Sequence, residues 1–274
     1  PLIFSDRHCI HFAHTSFKWA NLASHNAGVT VVIVGITNQP VAAKKLYSIV
    51  EANRDGSELH DGTIRRDGTA VREVANINAY LVGGENIIVE KASKPLTEVA
   101  EMTFGNKPVD GGHLLMDKQE MLALGLTAEQ RQRFIRRIYG SAEFIRGLGR
   151  YVLWIEDQYL AEAEHIPAIN RRIEGVRAMR LASKDKGANE MAKRAHQMRE
   201  MNIGKTSIIV VPAVSSENRE YLPIGLFAND VTITNRNFGI FDAPNWNIAI
   251  AISRLHWVWV NTICGKLELR FNYS

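Results

Sequence analysis

Cysteine is nearly absent from this 274-residue chain. Cys9 and Cys264 lie at opposite ends, so neither a disulfide framework nor a cysteine-based zinc site can be read from it. A reducing, intracellular setting, in practice the cytoplasm, is the expectation. Long apolar runs are missing too. The most apolar stretch, 248–264, is broken by Arg254, His256 and Asn261 and falls short of the roughly 20 apolar residues that span a bilayer, so no membrane partner is expected. The chain begins Pro1-Leu2-Ile3-Phe4, without an initiator methionine and without the features of a secretory signal. A processed chain, or a piece of something longer, is expected. Neither charge sign is scarce: 33 Lys and Arg stand against 29 Asp and Glu, a net +4 that suits an anionic partner without demanding one. There is no G-x-G-x-x-G after a strand, no G-x-x-x-x-G-K-[ST] and no G-x-S-x-G, so no self-contained catalytic centre is visible. His8, His11 and His14 recur every third residue, but strand geometry scatters them over both faces; they read as ordinary loop and edge histidines, and no metal is expected.

What is present has the pattern of mixed α and β structure. Val29 to Gly35 is a β-branched run with no polar face, the signature of a strand buried on both sides of an α/β sheet. Cys9 to His14 is a second short strand, and a loop rich in Asn, Ser and His joins the two. Two strands are not a domain, so they must complete a larger sheet. Residues 41–126 carry 10 bases and 13 acids with repeated Asp-Gly and Gly-Gly turn signals, which mark loop-rich, strand-containing territory. Thr127-x-x-Gln130 has capping-box form before Phe134, Ile135, Ile138 and Tyr139, predicting a helix whose exposed face carries Arg131, Arg133, Arg136 and Arg137. Tyr151 to Ile155 reads as a strand and 166–201 as one or two helices. Over 127–205 the balance is 16 bases to 10 acids, a basic helical middle. Ser207 to Pro212 and Val231 to Thr234 are strands, Trp246 to Ile263 a helix, and 266–274 a strand or an extended arm.

Several strings then point to one family. Ile10-His11-Phe12-Ala13-His14-Thr15-Ser16-Phe17-Lys18-Trp19, followed by Asn26-Ala27 and Val29 to Gly35, resembles the end of the methyltransferase domain in MmeI-like bifunctional type II restriction-modification enzymes. Phe104-Gly105-Asn106-Lys107-Pro108-x-Asp110-Gly111-Gly112, Gly140-Ser141-x-Glu143-Phe144-Ile145-x-Gly147 and Tyr151-x-Leu153-Trp154 resemble that group's target-recognition region. So do Val214-Ser215-Ser216-Glu217-x-Arg219-x-Tyr221-x-Pro223 and Cys264-Gly265-x-Leu267-Glu268-x-Arg270-Phe271-x-Tyr273-Ser274. The matches keep family order along nearly the whole chain.

The resemblance implies a fold between α/β and α+β. Residues 1–45 are the terminal strands of a Rossmann-like methyltransferase sheet, and 46–274 are a mixed α+β target-recognition domain with the helical basic middle. It implies recognition of duplex DNA for an S-adenosylmethionine-dependent N6-adenine methyltransferase, in an enzyme that often also carries an amino-terminal nuclease. The family's cofactor loop and Asn-Pro-Pro-aromatic motif lie upstream and are absent here, and family members usually continue past the equivalent of Ser274. The expectation is therefore a fragment that neither binds the cofactor nor methylates or cuts by itself, with the missing amino-terminal region as its partner. A self-contained nucleic-acid-binding or interaction protein is the alternative, but it would have no use for sheet strands without partners.

Individual residues follow from this. Phe17, placed in the loop between the two first strands, resembles the aromatic that stacks on a flipped adenine, and Trp19 could do the same. Lys18 is a phosphate contact or a solvated side chain. Glu268 and Arg270, two residues apart on one strand face, match the family's base-reading pair, Arg suiting guanine and a carboxylate suiting cytosine; by sequence alone they read as a surface salt bridge. Asn272 is a further base-reading candidate, and Arg236, in the loop Thr234-Asn235-Arg236-Asn237, is either another or a solvated loop arginine. Ser215, Ser216 and Arg219 either hold phosphate or cap a turn. The arginines over 131–150 and 171–199 contact the DNA backbone wherever their helices face it.

Overall fold

The fold was analysed in a computed structural model, which describes residues 4, 6–19, 29–49, 63–64, 69–92, 97–216, 218–267 and 270–273. The chain forms two compact units, one made of 1–93 with 258–272 and the other of 94–257 with 273–274.

The first unit is built on a five-stranded sheet. Its order is Val29–Thr37, Cys9–Trp19, Lys44–Ile49, Thr69–Val74 and Thr63–Ile64. Cys9–Trp19 pairs antiparallel with Val29–Thr37 and parallel with Lys44–Ile49. Ile10, Ala13, Leu46 and Ile77 are its buried core. Two expectations are corrected here. Phe17, Lys18 and Trp19 are strand residues rather than loop residues. A register shift between His14 and Phe17 lets pairing continue through Phe17 opposite Val31, Lys18 opposite Thr30 and Trp19 opposite Val29. The run starting at Val29 is not buried on both sides either, because among the described strands it lies at the edge of the sheet with one neighbour, and Val29, Val32, Ile33 and Ile36 are exposed.

The second unit holds two four-stranded sheets. One runs Gly225–Ala228, Ser207–Pro212, Asn237–Phe241, Met102–Phe104, all pairs antiparallel. The other runs Val231–Ile233, Ile135–Tyr139, Tyr151–Leu153, Leu115–Met116. Thr127 caps the next helix as its sequence requires. Its hydroxyl accepts from the Gln130 amide at 3.2 Å, and the Gln130 side chain accepts from the Thr127 amide at 3.0 Å. That helix, Ala128–Phe134, then ends early, and Ile135–Tyr139 is a strand. The apolar spacing fits either state. Pairing with Tyr151–Leu153 and Val231–Ile233 decides for the strand, and it takes Arg136 and Arg137 off the helix that carries Arg131 and Arg133.

Pro167–Ala182 begins with proline in its first turn and buries Ile169, Ile173, Val176 and Arg180 along one stripe. Ile169, Ile173 and Val176 pack with Leu114, Phe134, Ile138 and Val152 in the largest core among the described residues. The apolar stretch from Trp246 is two helices, Trp246–Ala251 and Arg254–Ile263. Ser253 breaks it, its hydroxyl accepting from the His256 amide at 3.1 Å as an N-cap does. Among the described residues no helix is long and apolar enough to cross a membrane, and no group of three or more His, Cys, Asp or Glu is placed to hold a metal ion.

Candidate nucleic-acid interface

In the second unit, residues Thr234 to Asn237 join a strand of one sheet to a strand of the other, and every link of this turn is wired to its surroundings. The Thr234 amide donates to the Tyr139 carbonyl at 2.9 Å, the Asn235 amide to the Asn106 carbonyl at 3.0 Å and the Asn237 amide to the Thr234 carbonyl at 3.0 Å. The Arg236 carbonyl accepts from the Ala213 amide at 3.1 Å and from the Ser141 hydroxyl. Buried Asn237 donates from Nδ2 to the Tyr139 carbonyl at 2.8 Å and accepts at Oδ1 from Ser141 at 3.1 Å. With its backbone thus spent, the turn presents one exposed cation. The Arg236 guanidinium forms no hydrogen bond or ion pair with a described residue.

Asn106 locks this junction from below. It is fully buried, and its Nδ2 donates to the Asn202 carbonyl at 2.9 Å and the Thr232 hydroxyl at 2.8 Å, while Oδ1 accepts from the Asn202 amide at 2.6 Å. Gly105 beside it cannot be larger: a Cβ would stand 2.4 Å from the Thr234 carbonyl oxygen and 2.6 Å from that of Ile233. Sequence reasoning assigned no role to Asn106 or Ser141, although both lie in strings that carry the family resemblance. Fully bonded buried amides of this kind hold a loop in one geometry, which is what a base-reading side chain requires.

Arg180 is a correction to the expectation of arginines facing DNA. It is fully buried and donates to the carbonyls of Val109 at 2.8 Å, Met191 at 3.0 Å, Arg194 at 2.9 Å, Pro108 at 3.2 Å and Gln197 at 2.7 Å. Burial first, then the Arg194 charge, lower its pKa to about 10, while Asp110 pulls the other way. Its work is to clamp the loop after Lys107, whose own amide donates to Glu200 Oε2 at 2.9 Å.

Ser215 is buried in the short strand Val214–Ser215, and the Ser216 hydroxyl accepts from the Asn218 amide at 3.3 Å, a turn-capping bond. The Arg219 carbonyl accepts from Trp257 Nε1 at 3.0 Å, and its side-chain Nε is shielded and bonds to no described residue. Ala213 ties this region to the Thr234 to Asn237 turn: besides donating to Arg236 it accepts from the Tyr273 amide at 2.8 Å.

In the first unit, Phe17, Lys18 and Trp19 follow one another on Cys9–Trp19. Phe17 meets His14 edge-on at 5.4 Å and Trp19 at 6.3 Å, and His14 stacks on Tyr47 at 5.1 Å. Phe17 is half-buried and Trp19 exposed. Near the carboxy terminus, Arg270–Asn272 pairs antiparallel with Lys266–Leu267. Phe271 is buried, so Arg270 and Asn272 share the opposite, exposed face. Glu268 lies outside the described residues.

Comparison with known proteins places the chain in one family. The profile of the family described as "MmeI, target recognition domain" matches residues 83–274, and that of "MmeI, DNA-methyltransferase domain" matches residues 1–48. "DNA methyltransferase A" of Bacillus subtilis (strain 168) is 35% identical over 265 residues, which is 97% of this chain and 28% of that protein. A solved structure of the type IIL restriction-modification enzyme MmeI in complex with DNA superposes with a TM-score of 0.81 at 29% identity, covering 100% of this chain and 35% of that one. The chain thus spans about a third of the length of the proteins it matches.

Proposed function

Because the chain belongs to the MmeI target-recognition family, we propose that it is the sequence-reading part of an N6-adenine DNA methyltransferase of a restriction-modification system. The observation that carries the reading is the wired Thr234 to Asn237 turn, whose backbone these bonds fix while the exposed Arg236 side chain bonds to no described residue. Arg236 addresses a base edge in a groove, where a guanidinium grips guanine O6 and N7. Glu268 with Arg270 reads one base pair, and Asn272, on the same strand face as Arg270, reads a neighbour. Lys18 and Arg219 contact phosphate, Arg219 together with backbone amides of the turn that Ser215 and Ser216 begin. These contacts supply affinity and orientation, and the base-edge groups supply specificity.

Phe17 stacks on an adenine extruded from the duplex, with Trp19 extending the platform. The sequence has neither the family's cofactor loop nor its Asn-Pro-Pro-aromatic motif, so its residues do not fit S-adenosylmethionine. Cofactor binding, methyl transfer and any nuclease are assigned to the remainder of a longer, cytoplasmic protein, and the chain by itself neither methylates nor cuts.

Selection by the purified chain from randomised duplex DNA at low salt tests the proposal. One short, asymmetric, adenine-containing motif is expected. Salt-sensitive retention without a motif, or no retention, would refute it. Glu268→Lys combined with Arg270→Asp should change the preferred base at one position and leave nonspecific binding alone. An unaltered motif would remove the pair from the reading surface.

A further inference from the structure

We propose that Phe104 and Lys107 form a second DNA contact beside the reading turn, the ring packing on the sugar and base edge of one strand and the ammonium on the adjoining phosphate. This rests on the sequence-reading proposal above and adds a contact to it.

Phe104 ends the outermost strand of its sheet and is 56% exposed. Single exposed apolar residues are ordinary, so exposure alone says little. What sets this ring apart is how firmly it is held. Phe104 packs on Phe238 at 4.2 Å, and Phe238 on Tyr273 at 5.7 Å. The Tyr273 hydroxyl donates to His256 Nε2 at 3.0 Å, because His256 Nδ1 faces the Ala251 carbonyl at 2.7 Å and so carries the proton. The ring is the outer end of a braced aromatic row, and a pre-ordered aromatic loses little entropy on binding.

Its outer side borders a cleft of about 270 Å³ lined also by Gly105, Lys107, Glu200 and Asn235. Asn235 belongs to the turn that carries Arg236. The acid in the cleft is already engaged: Glu200 Oε2 accepts from the Lys107 amide, and Oε1 lies 3.3 Å from Arg199 Nε. The Lys107 ammonium is exposed and makes no bond with a described residue. A flat apolar ring, a free cation and an amide thus stand side by side with positive charge in excess. That set complements the alternating apolar and anionic surface of a nucleic-acid strand better than it complements an apolar partner or a second copy of this basic chain.

The test uses the full chain and a fluorescein-labelled duplex, both of random sequence and carrying the motif enriched by selection. Phe104→Ala should weaken binding about tenfold, the size of one aromatic contact, without changing the salt dependence. Phe104→Trp should restore it. Lys107→Gln should weaken binding and lower the slope of log K against log salt by about one. Lys107→Gln should unfold at the temperature of the unsubstituted chain, and Phe104→Ala, which loses its packing on Phe238, should still be fully folded at the temperature of the binding assay, checked by thermal unfolding. If Phe104→Ala binds as tightly as the parent, the second contact is wrong while the reading turn stands. If Phe104→Ala instead abolishes self-association and leaves DNA binding intact, the ring belongs to a contact between copies and the inference is overturned. If the unsubstituted chain binds no duplex, the sequence-reading proposal fails and this one with it.

Discussion

Val29–Thr37 and Ser207–Pro212 are both β-branched apolar strands, yet they end in opposite environments. In the first, Val29, Val32, Ile33 and Ile36 are between 42 and 53% exposed; in the second, none of Ile208, Ile209, Val210 and Val211 exceeds 1%. Ser207–Pro212 has a paired strand on each side and a core on each face, with Tyr139, Val231 and Ile233 against Ile208 and Val210, and Ile240 and Ala243 against Ile209 and Val211. Val29–Thr37 has one neighbour. An apolar run therefore states how much burial a strand calls for, and the fold around it decides how much it receives. An edge strand left in this condition is a site for further pairing or covering.

Substitutions on the two strands test this contrast. The largest effect is expected at Ile208→Ala, about 3 kcal/mol of stability by urea unfolding, from lost burial and an unfilled cavity. Asn106→Ala should cost about 2 kcal/mol by the same measurement, since the Asn202 amide and carbonyl and the Thr232 hydroxyl lose their shared partner. An effect on DNA specificity from this variant, with the fold retained at low temperature, would tie the junction to reading.

Asp242 offers a pH test on the same buried strand, because it anchors the segment leading into Ser207. Amide donation from Lys205 and Thr206, then from Ser207 and the Thr206 hydroxyl, holds its carboxyl below the usual range despite an opposing contribution from burial. A depressed folded pKa stabilises the protein above the reference value of 3.8, and the contribution is lost as the pH falls through the lower folded value. Asp242→Asn should therefore be less stable than the parent at neutral pH, with the difference shrinking below pH 3.8 in acid-unfolding curves. The smallest effect belongs to Ile33→Ala, within about 0.5 kcal/mol. A cost near that of Ile208→Ala would mean that the edge strand is covered in solution, and sedimentation would then find a dimer.

Legibility varied by element for physical reasons. The Thr127 capping box was readable because its bonds are local, three residues apart. Where that helix ends was not, since Phe134, Ile135, Ile138 and Tyr139 satisfy helical spacing and also strand burial, and partners nearly a hundred residues away settle the matter. Arg180 looked like one more basic residue of a charged helix, although it continues the stripe of Ile169, Ile173 and Val176. Its five carbonyl partners come from two other segments and leave no trace in local composition. In the candidate interface, the resemblance pointed to Arg270 and Phe17 and loop position alone to Arg236, while the residues that fix the Arg236 backbone, Asn106, Ser141 and Asn237, act across sequence separations near one hundred.

Sequence alone determined the family, the mixed α and β content, the strands with uninterrupted apolar runs and the caps, because these depend on residue identity and short spacing. Tertiary structure decided which apolar strand is covered, where the Thr127 helix gives way to a strand, which arginine is clamped inside and which is held out to solvent. Each of those outcomes is a competition between local preference and pairing or burial supplied by a distant segment, and only the folded chain brings the competitors together.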